Sequence, residues 1–366
     1  MDALRGLARL SMQNGKIHEA GKWLAQAEAA GADADAMDID RTAYLMAIGD
    51  LEEASKTIGR YTTNHKDATV GWAMLGMLEI QRGNPDRAGG FILENIKRTI
   101  QGRKANERDI YFQHVLEGRL AQYYADEADA QAKDMGNKLT PIARQDAEKR
   151  ARDLYATARD HYRRAYTLRP NVIGLLELIL DFDRRLGEKA AAETDALAIL
   201  REDERHAFAN FIVGSQRAED GEVETAVKYF RKAIERTENP RFDLLNNYAD
   251  ALARTDPELA KEVGLRCIQA EPQQYLAWGT YALALARCGL SDQAAVAIKK
   301  ARELAKEANQ TPDPRMDLAD IWICIKRGDK AEARKLTEQL KRTLGAHVTM
   351  LDSRDFREID QALANP

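Results

Sequence analysis

The chain has 366 residues, 44% of them hydrophobic and 31% charged, with a formal net charge of −4. Nearly balanced charge argues against nucleic acid as the main partner, because phosphate binding needs a clear basic excess. No stretch approaches the roughly 18 apolar residues needed to cross a bilayer, which argues against membrane insertion.

The three cysteines, Cys267, Cys288 and Cys324, form no CxxC and no even-numbered framework. That spacing speaks against a disulfide scaffold and a zinc site. Unpaired cysteines favour a cytoplasmic over a periplasmic setting. No secretory leader pattern is present. The chain begins almost inside a helix at Asp2-Ala3-Leu4, which suggests a fragment of a longer protein or a mature chain without its leader.

In chain order, the element signals come from glycine. Seven glycines are each followed five residues later by alanine: Gly15/Ala20, Gly49/Ala54, Gly83/Ala88, Gly187/Ala192, Gly221/Ala226, Gly289/Ala294 and Gly328/Ala333. Gly15, Gly49 and Gly83 step by 34, as do Gly187 and Gly221. A fixed period of this size marks a repeat protein. In the unit Thr69 to Gly102, Trp72, Leu75, Gly76 and Ile80 fall at helical spacing. Gly83-Asn84-Pro85 then stops the helix, and Asp86 opens a second one. Ala88, Ile92 and Asn95 are expected to face back onto the first helix. The alanine five residues after each glycine marks the closest approach of the two helices, where a larger side chain would push them apart.

The grid slips between Gly83 and Gly187. Residues 103–172 could hold two degenerate repeats or one overlong pair, and the absence of Gly and Pro from Ile142 to Arg169 favours one. Asn106-Glu107-Arg108-Asp109 can cap its first helix, Gly136-Asn137 can end it, and Thr140-Pro141 can open its partner. Two helices of about 27 residues would each run ~40 Å. The outer part, 125–155, is either a solvated insertion or a surface for docking or self-association. A second slip, before Gly328, fits a turn-forming loop from Glu307 to Pro314. Ser353 to Ile359 reads as a polar terminal cap.

Three segments carry a named resemblance. They are Trp72-Ala73-Met74-Leu75-Gly76, Ala226-Val227-Lys228-Tyr229-Phe230-Arg231-Lys232-Ala233, and Ala158 with Tyr162, Ala165 and Pro170. This pattern resembles the tetratricopeptide repeat (TPR) family over nearly the whole chain. The resemblance implies an all-α, right-handed α-solenoid of about nine helix-turn-helix repeats with one elongated hairpin. The expected division is 1–102 for repeats 1–3, 103–172 for elongated repeat 4, 173–345 for repeats 5–9, and 346–366 for a C-terminal capping helix.

No motif for catalysis is present: no Walker loop, no GxGxxG after a strand, no HExxH, no GxSxG. The six histidines, His18, His65, His114, His161, His206 and His347, are scattered without an i, i+4 pair, so no metal site and no cofactor are expected. Asp33, Asp35, Asp38 and Asp40 do not match an EF-hand and read as a solvated loop with a helix N-terminus. Tyr111, Phe112, Tyr123, Tyr124, Tyr155, Tyr162 and Tyr166 read mostly as packing.

The resemblance implies a peptide-binding groove lined by solvent-facing positions of the first helices. On this chain those positions give Glu177, Asp181, Arg184 and Arg185, then Phe208 and Phe211, then Asn246, Asn247, Asp250 and Arg254, then Arg287, and finally Trp322 and Lys326. Asn offers donor and acceptor, and Arg a charge-assisted fork, to a peptide backbone or carboxylate. The expectation is a non-enzymatic scaffold that binds a protein or peptide segment. The alternative is the repeat region of a larger enzyme or of an envelope or secretion assembly component.

Overall fold

A computed structural model describes residues 1–13, 15–102, 106–134, 140–170, 172–235, 237, 239–344 and 353–364. The protein is all-α, a succession of TPR-like helix hairpins, and it forms two compact units, residues 1–191 and 192–366. None of its described helices is long and apolar enough to cross a membrane.

The first unit contains α1 (Asp2–Gln13), α2 (Ile17–Ala29), α3 (Ala34–Ile48), α4 (Leu51–Asn64), α5 (Thr69–Gln81), α6 (Pro85–Arg87), α7 (Leu93–Gly102), α8 (Glu107–Asp134), α9 (Pro141–Leu168) and α10 (Ile173–Leu186). The division between the units falls within α11 (Lys189–Glu202). The second unit continues with α12 (Ala207–Glu219), α13 (Val223–Glu235), α14 (Phe242–Thr255), α15 (Pro257–Ala270), α16 (Tyr275–Arg287), α17 (Ser291–Glu307), α18 (Pro314–Arg327), α19 (Lys330–Leu344) and α20 (Ser353–Ala364).

All seven grid glycines adopt positive φ, between 72° and 82°. That left-handed conformation is cheap only for glycine, and it reverses the chain within two residues of the helix end. The seven partner alanines are all buried. At the seventh repeat the grid has no glycine. There Asp256 makes the turn, its carboxylate accepting from the Leu259 amide at 3.2 Å, and Pro257 occupies the first helical position.

Two local readings change. Between α6 and α7 the residues Ala88–Ile92 form a π-helical turn. The extra residue shifts the phase, so burial continues at Leu93 and Ile96 while Asn95 turns half outward. The acidic cluster is likewise not a solvated loop. Asp33 caps α3 by accepting from the Ala36 amide, but α3 carries Asp38 and Asp40 inward. Asp40 takes Arg5 and Arg9 at 2.7 Å each, and Asp38 takes Arg60. Buried carboxylates need such partners.

A single hairpin of two 28-residue helices, α8 and α9, occupies the first slip. Asn106 accepts from the Asp109 amide at 2.9 Å at its start, and Thr140 caps α9. The Gly136-Asn137 turn lies outside the described residues. Before α18, Asn309 takes a left-handed φ of 52°, which lets the chain turn after the longer α17.

Because Ala226 on α13 is fully buried at the approach to α12, Ala226→Leu is expected to destabilise the second unit by about 1–3 kcal/mol through overpacking. Urea unfolding followed by circular dichroism measures this.

Candidate functional site

The first helices α14 and α16 of the second unit present arginines near their C-terminal ends: Arg254 on α14 and Arg287 on α16. Cations suit that end of a helix. Helix α20 lies against them. Its apolar residues Phe356, Ile359 and Leu363 are buried, and Asp355 is buried beside them.

An alternating row of charges results. Arg315, in the first turn of α18, meets Asp250 at 3.0 Å, and Asp250 meets Arg254 at 3.0 Å. Arg254 donates through Nε and Nη2 to the Asp355 carboxylate at 3.1 and 2.9 Å. Arg287 pairs with Glu358 and stands 3.9 Å from Asp355. Arg354 then bridges Glu358 at 2.8 Å to Glu224 of α13 at 2.6 Å. Arg254 and Arg287 are only 7% and 9% exposed, so these pairs work in a largely water-free setting.

Burial works against the Asp250 charge, yet Arg254 and Arg315 hold its carboxyl below the usual range. Burial pushes the Asp355 carboxyl up, with Arg254 opposing. For Glu358, burial is outweighed by hydrogen bonds from Arg354 and Arg287, which hold it low. The Arg287 guanidinium also lies 4.6 Å from the Trp322 ring centre, a cation–π contact. Among the described residues, Arg287 Nη1 and Trp322 Nε1 are buried without a hydrogen bond.

The structure thus gathers Asp250, Arg254, Arg287 and Trp322 of the sequence-predicted residues. It also corrects their expected exposure. Phe211, Asn246 and Trp322 are 8%, 4% and 8% exposed. Phe211 packs between Phe208 and Phe230, with ring centres 6.4 and 6.3 Å away, so it belongs to the core. Asn247 donates to the Ser215 hydroxyl, and Lys326 is exposed at the end of α18. Glu177, Asp181, Arg184 and Arg185 all lie on α10 in the first unit. There Asp181 takes Arg184 at 3.0 Å and Arg185 at 2.7 Å, and Arg185 stacks on Tyr155.

Sequence reasoning missed Arg315, Asp355 and Glu358. One signal was available: an arginine in the first turn of α18 opposes the helix dipole, so it needs carboxylates nearby. It also missed a cluster in the first unit. His114 and Glu117 on α8 meet His161 on α9, 47 residues along the chain from His114. Burial opposes the Glu117 charge, but hydrogen bonds from His161 and Gln113 and the two imidazole charges hold its carboxyl at about 2.

No family model matches the chain, and no curated protein matches it. Among solved structures it is similar to Pseudomonas aeruginosa pilF, at 14% identity over 67% of this chain and 95% of that one, with a TM-score of 0.48. It is also similar to a tetratricopeptide repeat protein from Parabacteroides merdae, at 15% identity over 81% and 99%, TM-score 0.42. For the protein MamA the identity is 21% over 44% and 95%, TM-score 0.38. All three TM-scores lie below 0.5, and none of these similarities carries a functional argument. The hairpins on a 34-residue grid, each turning at a left-handed glycine and closing on a buried alanine, are the features of a TPR-like repeat protein.

Replacing Arg254 by Ala would leave Asp355 and Asp250 facing each other without their shared cation. Breaking a buried pair in this way costs about 3–5 kcal/mol. Amide exchange across 353–364, read by mass spectrometry, is expected to speed up by about 10²–10⁴-fold, with α14 and α16 still protected.

Proposed function

We propose that the protein is a non-enzymatic interaction scaffold whose second unit binds an acidic amphipathic helix along α14, α16 and α18, with its own α20 as the resident occupant. One observation carries this reading. Asp355 and Glu358 of α20 meet Arg254 and Arg287 while Phe356 and Ile359 are buried. A spacing of three puts both carboxylates on one helix face. Arginine forks suit carboxylates, and burial of the apolar side supplies most of the affinity. A partner helix with the same pattern would meet the same groups, in the helix-in-groove mode of recognition.

The occupant is part of the chain, so a partner in trans competes against an effective concentration on the order of millimolar. Binding by the wild-type protein should therefore be weak until α20 is displaced. Reversing the two charges, Asp355→Lys with Glu358→Lys, is expected to release α20. A fluorescent peptide with the sequence of 353–364 should then bind the variant at least tenfold more tightly than the wild type, read by anisotropy. Adding Arg254→Glu and Arg287→Glu should remove that binding. Equal binding to wild type and variant, or binding that survives the arginine changes, would count against the assignment.

A further inference from the structure

Three donor atoms converge between the long helices α8 and α9. His114 Nδ1 lies 3.3 Å from His161 Nδ1, and both lie 3.3 and 3.2 Å from the same oxygen of Glu117, Oε2. We propose that His114, Glu117 and His161 form a binding site for a divalent transition-metal ion of the zinc class.

The geometry argues for it first. Zinc bonds imidazole nitrogen and carboxylate oxygen at about 2.0–2.2 Å in tetrahedral sites, so any two of its donors stand roughly 3.3–3.5 Å apart. The three edges of this triangle are 3.3, 3.3 and 3.2 Å. An ion placed just outside the triangle would reach all three atoms at bonding distance.

Donor chemistry argues for it next. An imidazole ring nitrogen and a carboxylate oxygen are both zinc ligands, and here two of the first and one of the second stand at one point, where a single ion would engage all three.

The surroundings fit as well. The other oxygen of Glu117, Oε1, accepts from Gln113 at 3.1 Å and stands 3.7 Å from Lys97 Nζ. These contacts turn Oε2 toward the imidazoles, as outer-shell hydrogen bonds do for metal-bound carboxylates. All three side chains are partly buried, at 15%, 14% and 23% exposure. His114 and Glu117 share one face of α8 at i, i+3, and His161 comes from α9 opposite. An ion there would tie the two helices together. Three protein donors leave a fourth position for water or for a donor from a bound partner.

The test uses the full chain, without an affinity tag of histidines, stripped with a chelator and dialysed. Titration with Zn²⁺ in a competing fluorescent chelator is expected to show one site per chain. Co²⁺ at the same site should give the intense visible absorption of a four-coordinate ion. His114→Ala and His161→Ala should each weaken Zn²⁺ binding at least 100-fold, and Glu117→Gln at least tenfold, while His18→Ala leaves it unchanged. Circular dichroism checks each variant's fold, and His161→Gln serves where the alanine variant loses helix. A wild-type chain with no stoichiometric site, or a site that persists after the histidine changes, overturns the proposal.

Discussion

Everything in this fold depends on how closely the two helices of each hairpin can approach. The approach point is held by an alanine five residues after the turn, and at all seven grid positions that alanine is buried. A methyl group there lets the helix backbones come near enough for larger residues on either side, such as Ile58, Phe230 and Ile298, to interdigitate. The turn is equally constrained. A left-handed glycine reverses the chain without spending residues, so the unit length repeats. Where the glycine is missing, at Asp256, a capping carboxylate and a following proline make the same reversal by other means.

On that scaffold, buried charge decides which surfaces are covered. Buried ion pairs add little net stability, because desolvation cancels much of the attraction, yet an unpaired member is expensive. They therefore act on position. Asp40 with Arg5 and Arg9 fixes α3 against α1. Asp183 with Arg159 and Arg163 fixes α10 against α9. In the second unit, Asp250, Arg254, Asp355, Arg287 and Glu358 form a row in which each charge has an opposite neighbour. That row specifies where α20 sits more sharply than Phe356 and Ile359 could, since apolar contact has no direction.

The packing residues were legible because they recur. The glycine and the alanine five residues on recur in seven units, with a larger residue after the alanine in most of them, and recurrence separates signal from chance in a single sequence. The candidate binding residues were legible only as positions. Arg254, Arg287 and Trp322 stand where first helices leave side chains free, but their occupation by α20 joins residues about 100 and 71 apart in the chain. Asp355 and Glu358 looked like ordinary polar residues of a terminal cap. Phe211 looked free for the same reason, although its ring completes an aromatic row with Phe208 and Phe230.

By itself, then, the sequence determined the all-α repeat, the turns and the close-approach points, because these follow from local backbone preference and side-chain volume within about 34 residues. Tertiary structure alone decided three things. The extra residue of the π-helical turn exchanged Asn95 for Leu93 and Ile96 on the buried face. Folding back of α20 turned exposed arginines into paired ones. The pairing of two long helices brought His161 to His114 and Glu117. The last two depend on groups far apart in the chain meeting at a few ångströms, and no local periodicity encodes such a meeting.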